Sequence, residues 1–176
     1  MIRITTQKDM PAVLDIHRLA FEEEDEAILV ENLLDDETAH PLLSLLMEED
    51  DEILGHILFT KACVEASDVS AMLLAPLAVH PDRQYKGIGQ RLMKEGFRQL
   101  AGMGVELVFV LGDPAYYPRV GFVTDAGDQG FATPQPIPSQ YREAWMVKDL
   151  NGGAIDRYRG QVCVADQISA REYWSD

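Results

Sequence analysis

A chain that passes from Leu77-Ala78-Val79-His80-Pro81 into Gln84-Tyr85-Lys86-Gly87-Ile88-Gly89-Gln90 cannot keep one regular conformation across that span. Leu77, Ala78 and Val79 suit a buried strand end, and Pro81, with its φ locked and no N–H to donate, bars the strand from continuing. Past the turn, Ile88, Leu92, Glu95 and Phe97 recur at near-helical spacing, so the two glycines fall where a helix begins. Unpaired N–H groups and the positive end of a helix dipole then surround a loop with few side chains in the way. Such a loop suits a phosphate or pyrophosphate.

Two familiar glycine loops fail on spacing. A nucleotide-binding Walker loop ends in Gly-Lys-Ser/Thr, which is absent here, and a dinucleotide fingerprint needs a third glycine where this chain has Leu92. The residues do match Gln/Arg-x-x-Gly-x-Gly/Ala, with a strand and His-Pro before it and a helix after it. A second segment about thirty residues on, Tyr117-Pro118-Arg119-Val120-Gly121-Phe122, has the form Tyr-x-x-x-Gly-Phe. Together they make the chain resemble the GNAT family of N-acetyltransferases, in a bacterial branch. The resemblance covers the order of elements over residues 2–122.

Composition sets the outer limits. At 176 residues the chain fits one domain over 1–176, with a motif-bearing core over 2–122 and further strands and a tail over 123–176. Apolar residues make up 47 %, as in a globular protein. No run approaches the roughly 20 apolar residues of a membrane span, and the start, MIRITTQKDM, lacks a signal-peptide core, so the expectation is a cytoplasmic protein without membrane contact. A formal net charge of −15 leaves no basic face for nucleic acid. Cys63 and Cys163 sit far apart among small or apolar residues and read as buried free thiols. The histidines at 17, 40, 56 and 80 are too scattered for a metal site, and no metal is expected.

Taken in order, a strand at Ile2 to Ile4 leads to a helix whose buried stripe is Val13, Leu14, His17, Leu19, Ala20 and Phe21. Glu22-Glu23-Glu24-Asp25-Glu26 follows, and Glu24 to Glu26 suit the N-terminus of a second helix over 27–34. Strands over 42–47 and 53–64 form a hairpin around an acidic turn, with Gly55 marking a bulge and His56 a strand histidine. In the strand over 71–79, Pro76 indicates a bulge or a place where neighbouring strands part. A helix over 87–102 and a strand over 105–111 complete a parallel pair with a right-handed crossover. Asp113 and Pro114 suit the start of a short helix carrying Tyr116 and Tyr117. The prolines over 134–138 read as a loop. A strand over 143–150 puts Trp145 and Val147 on one face and Met146 on the other, and residues 160–165 with the tail to Asp176 add a strand and a short helix.

The resemblance implies an α/β fold: a central mixed sheet, mostly antiparallel, with a splayed parallel strand pair and flanking helices. It implies acetyl-CoA as co-substrate, its pyrophosphate on the loop of Gln84, Tyr85, Lys86, Gly87, Ile88, Gly89 and Gln90, and its pantetheine arm on the backbone of Leu77, Ala78 and Val79. The expected acceptor is a primary amine of a small molecule or peptide, acetylated by direct attack in a ternary complex, and the other expected partner is a second copy of the chain. The alternative is an acyl-CoA-binding sensor without turnover. Tyr117 matches the family's tyrosine and is the expected general acid, with Tyr116 as the alternative. Glu22, Glu23, Glu24 and Glu26 border the acceptor side by resemblance. Where some members carry a glutamate on the strand before the loop, this chain has Ala75-Pro76, which leaves Glu24, Glu26 and Asp113 as candidates for taking the amine's proton through water.

Overall fold

The computed structural model describes residues 1–175; Asp176, the end of the expected tail, lies outside the described residues. Strand β1 (Ile2–Ile4) is followed by helices α1 (Met10–Phe21) and α2 (Asp25–Leu34). A long hairpin comes next, β2 (Leu43–Glu49) and β3 (Glu52–Val64), and then β4 (Ala71–Val79), α3 (Ile88–Gly102) and β5 (Leu107–Leu111). The remainder adds β6 (Phe131–Ala132), β7 (Trp145–Asp149), the single-turn helix α4 (Ala154–Arg157) and β8 (Gly160–Val164). The sheet runs β1-β2-β3-β4-β5-β7, with β8 joining the far end of β3 and pairing β6. Within the main path only β4 and β5 are parallel, joined through α3.

Alternation along the strands loads both faces of this sheet. On one face α3 presents Leu92, Met93, Phe97 and Leu100 to Phe59, Met72, Val108 and Val110. Gly96 is where the helix comes closest, since a Cβ there would overlap the Phe59 ring. On the other face Leu29 and Leu33 of α2 pack with Leu58, Leu73, Phe109, Trp145 and Val147. Trp145 stacks on Phe109 at 5.3 Å between ring centres and donates its indole N–H to the Phe131 carbonyl at 2.9 Å. Met146 faces the α3 side, so β7 divides its residues between the faces as its alternation requires.

The proline of β4 opens the sheet. Ile57 pairs with Leu77 but Phe59 pairs with Leu74, so β4 spends three residues where β3 spends two, and Pro76 lies in the excess. The parallel ladder with β5 covers only Ala71 to Leu73. Beyond that point the β5-facing edge of β4 has no strand partner, and backbone groups there are free to meet a ligand.

Three expectations change. Leu19 and Phe21 of α1 are exposed, and Ile16 takes their place in the core with Val13 and His17, because α1 ends at Phe21 and only its middle turns lie over the sheet. Asp113 caps a turn, accepting the Ala115 N–H at 2.8 Å, and the short 3₁₀ helix begins later, at Tyr117–Val120, because Pro118 suits a first turn as well as Pro114 does. The cysteines are free, but Cys63 is exposed and Cys163 only partly buried. Period-two alternation on β3 sends Ala62 and Val64 inward and Cys63 out to solvent, directly opposite Cys163 on β8, whose thiol is pushed up to about 12, chiefly by burial.

His56 does sit within its strand, in a buried polar chain. Thr5 Oγ1 donates to Ser44 Oγ at 2.7 Å, Ser44 Oγ lies 2.8 Å from His56 Nε2, and His56 Nδ1 lies 2.8 Å from His17 Nε2. Burial pulls His17 down to about 4 and, with the neighbouring His17 adding to it, holds His56 well below 6.5. Both rings are therefore neutral in the folded protein but protonate near pH 6.5 when it unfolds. From pH 6.5 down to about 4 the unfolded state binds more protons, so stability falls as pH falls, by on the order of 3 kcal/mol for His17 alone at about 1.4 kcal/mol per pH unit. Urea titrations at about pH 7.5 and about pH 4.5 should show that loss. His17→Leu should make the dependence shallower, leaving the share of buried His56, whatever it does to absolute stability; an unchanged slope would show that His17 does not carry it.

Candidate active site

The loop after β4 forms as its sequence requires. His80 Nδ1 accepts the Asp82 N–H at 3.1 Å, a one-turn 3₁₀ segment covers Pro81–Arg83, and the Gln84 amide donates to the Val79 carbonyl at 3.3 Å. Tyr85 at φ 63° and Gly87 at φ 82° both take the left-handed conformation, which swings the chain round so that α3 starts facing back along β4. The Gly87 position is open, so its glycine answers to backbone conformation. Gly89 answers to space, because a Cβ there would run into the Tyr116 hydroxyl.

Two cavities meet at this point. The first, about 510 Å³, runs along Leu77, Ala78 and Val79 and over the loop, touching Gln84, Tyr85, Gly87, Ile88, Gly89 and Gln90. Lys86 is not among its walls, whereas Arg83 and Arg119 are. The loop pattern favours the lysine because it stands next to the glycine; the two arginines come to the cavity from outside that pattern. The second cavity, about 700 Å³, occupies the gap between β4 and β5 and is closed by α2 and by the C-terminal residues Ile168, Tyr173 and Trp174. Phe21, Leu77, Gln84, Asp113, Tyr116 and Tyr117 wall both cavities, so the two form one trough with the tyrosines at its waist.

The tyrosines differ in setting. The Tyr117 ring is packed against Gly112, where a Cβ would overlap it, and stands edge-on to Tyr116 and Phe122 at 5.1 and 5.6 Å. Burial, with smaller contributions from Tyr116 and Asp113, pushes its hydroxyl well above the ordinary tyrosine value. Tyr116 is half-buried and is also raised by burial, an effect that Arg119 partly offsets. Both hydroxyls are therefore protonated at neutral pH and able to donate.

The acidic stretch divides. Glu22 ends α1 with φ 59°, Glu23 is exposed, and Glu24 stands at the N-cap position of α2 with its carboxylate on Arg18 at 2.8 Å and not on the helix backbone. Only Glu26 walls the second cavity. Its Oε2 is covered and has no hydrogen-bond partner, and burial, with Glu23 and Asp25 adding to it, pushes its carboxyl up. Spacing alone marks the last residue of the run no differently from the others; the first turn of α2 turns it inward. Among the described residues there is no group of three or more histidine, cysteine or carboxylate side chains able to hold a metal, and no helix is long and apolar enough to cross a membrane.

Comparison with known proteins places this geometry. The profile of the acetyltransferase (GNAT) domain matches residues 1–124. The chain is 44 % identical over 149 residues to the uncharacterized N-acetyltransferase YjhQ of Escherichia coli K12, covering 84 % of this chain and 82 % of that protein. Among solved structures, Escherichia coli YhbS in complex with CoA superposes with a TM-score of 0.87 at 29 % identity, over 97 % of this chain and 92 % of that one. A GNAT-family acetyltransferase from Brucella melitensis in complex with acetyl-CoA gives 0.75 at 27 % identity, over 96 % and 97 %. On the sheet with its parted parallel pair, the loop and these matches, the chain belongs to the GNAT family of acetyltransferases.

Proposed function

We propose that the protein transfers the acetyl group of acetyl-CoA directly to a primary amine, with both substrates bound at once in the two-ended trough. The observation that carries this reading is the meeting of the two cavities at Tyr116 and Tyr117, which leaves one end over a helix N-terminus and the other beside a carboxylate. Acetyl-CoA fits the first end: the Gly87 position is open, the N–H groups opening α3 favour an anion, and Arg83 and Arg119 add charge complementary to phosphate. The unpartnered edge of β4 at Leu77 to Val79 would bind the pantetheine amides and polarise the thioester carbonyl.

The chemistry then divides between the ends. The amine must lose a proton before its nitrogen attacks, and Glu26, with its raised pKa, is placed to take it from the acceptor side. As the carbon–sulfur bond breaks, the Tyr117 hydroxyl supplies the proton to the thiolate, with Tyr116 as the neighbouring donor. Neither Cys63 nor Cys163 walls the trough, which favours direct transfer over an acyl-cysteine route. Glu26 supplies from α2 the carboxylate that β4 lacks at Ala75-Pro76, and this favours turnover over a sensor.

Incubation with acetyl-labelled acetyl-CoA and a pool of primary amines should move label into an amide, read by mass spectrometry because exposed Cys63 would react with thiol reagents. Tight CoA binding with no labelled amide from any amine would establish the sensor instead.

A further inference from the structure

We propose that the acceptor is a monoamine carried on an apolar, aromatic or alkyl body, with no carboxylate of its own, bound in the cavity between β4 and β5 with its nitrogen at Glu26. The inference rests on the acetyl-transfer reading of the same site and narrows it to a substrate class.

Three features of the cavity point there. Glu26 walls the cavity, and its covered Oε2 takes no hydrogen bond from the protein, which leaves an unsatisfied carboxylate oxygen at the cavity wall. A single ammonium group would satisfy it with a charge-assisted hydrogen bond. The remaining walls are chiefly apolar: Leu29, Leu73, Leu111 and Ile168 make them aliphatic, and Tyr173 and Trp174 add aromatic surface. A cavity of about 700 Å³ with such walls stabilises a hydrocarbon body by removing it from water.

The third feature is the absence of cations. No lysine or arginine is among the residues walling this cavity. A carboxylate on the acceptor, as in a free amino acid, would be buried without a counter-charge, which is strongly unfavourable. A polyamine is disfavoured for the complementary reason: once one nitrogen occupies Glu26, the others find no second free carboxylate, since Asp113, the other carboxylate of the cavity, is exposed and already holds the Ala115 N–H.

The step balances with these groups alone. Glu26 accepts one proton from the ammonium, and the nitrogen lone pair forms the bond to the acetyl carbon. The carbon–sulfur bond breaks with its electron pair going to sulfur, which takes the Tyr117 proton. The second proton leaving nitrogen restores Tyr117 through solvent, and Glu26 releases its own proton to water, so the products are N-acetylamine, CoA thiol and one proton.

Calorimetry on the protein saturated with CoA tests the inference without requiring turnover. Phenethylamine should bind. Phenylalanine, the same body with a carboxylate, and spermidine, a polyamine, should each bind at least about tenfold more weakly. Glu26→Gln should weaken phenethylamine by about tenfold to a hundredfold, the range for losing one hydrogen bond to a charged group, with Glu26→Asp recovering part of it and CoA affinity unchanged in both. Failure of phenethylamine to bind, equal or tighter binding of spermidine or phenylalanine, or full phenethylamine affinity in Glu26→Gln would each overturn the proposal. Binding as expected with no acetylated product from any amine would uphold the ligand class and refute the transferase reading, so the two stand or fall separately.

Discussion

Replacing Tyr117 by Phe should lower turnover on the order of a hundredfold or more while leaving CoA affinity and fold in place, because the change deletes only a proton donor. The ring that Phe preserves is what packs against Gly112, Tyr116 and Phe122, so the core around the short 3₁₀ helix keeps its contacts. Burial holds the Tyr117 hydroxyl protonated across the neutral range, so the loss should show no sharp pH dependence between about pH 6 and about pH 8. Tyr116→Phe is the matched control. Its hydroxyl reaches Gly89 at the start of α3, which places it toward the cofactor end of the trough. If Tyr116→Phe loses rate and Tyr117→Phe does not, the donor is reassigned to its neighbour. If neither loses rate, proton donation by tyrosine is wrong for this protein.

The second large effect is expected at Gly89. Gly89→Glu should abolish CoA binding in calorimetry, since it adds a carboxylate and its bulk where N–H groups open α3 toward the pyrophosphate. Gly89→Ala is the sharper probe: its methyl group collides with the Tyr116 hydroxyl, the far end of a side chain able to move, so the fold should persist while Tyr116 is displaced. A melting temperature close to the parent's together with weakened CoA binding is the expected pair of readings. Undiminished CoA affinity in Gly89→Glu would remove the loop from the cofactor site. Lys86→Ala should matter little by comparison, because that lysine stands outside the cavity and adds only screened attraction.

Both results bear on how the site is encoded. The loop and the strand before it were legible because they are local: Pro81 ends a strand, left-handed residues turn the chain, and a periodic helix follows within ten residues. The same locality made the division of Trp145, Met146 and Val147 between two faces readable from alternation. Pro76 likewise announced a break in its strand, and the ladder beyond Leu73 does lack its β5 partner.

What local pattern cannot carry is the direction in which a residue of an undifferentiated run points. Five consecutive carboxylates look alike in sequence, but α1 ends at Phe21, α2 begins at Asp25, and the geometry of that corner sends Glu24 to Arg18 and Glu26 into the cavity. Cys63 and Cys163 are a hundred residues apart and become neighbours only because β8 returns to the end of β3. Trp174 reaches the cavity between β4 and β5 because its indole donates to the Ile168 carbonyl at 2.9 Å and its ring stands edge-on to Trp145 at 5.5 Å. The sequence by itself determined the family, the glycine loop and the tyrosine pair, since each is written in contiguous residues whose backbone preferences agree. The cavity beside Glu26 was decided only by tertiary structure, since α2, β4, β5 and the C-terminus all contribute to its walls, and the burial that raises the Glu26 carboxyl exists only once those four are packed together.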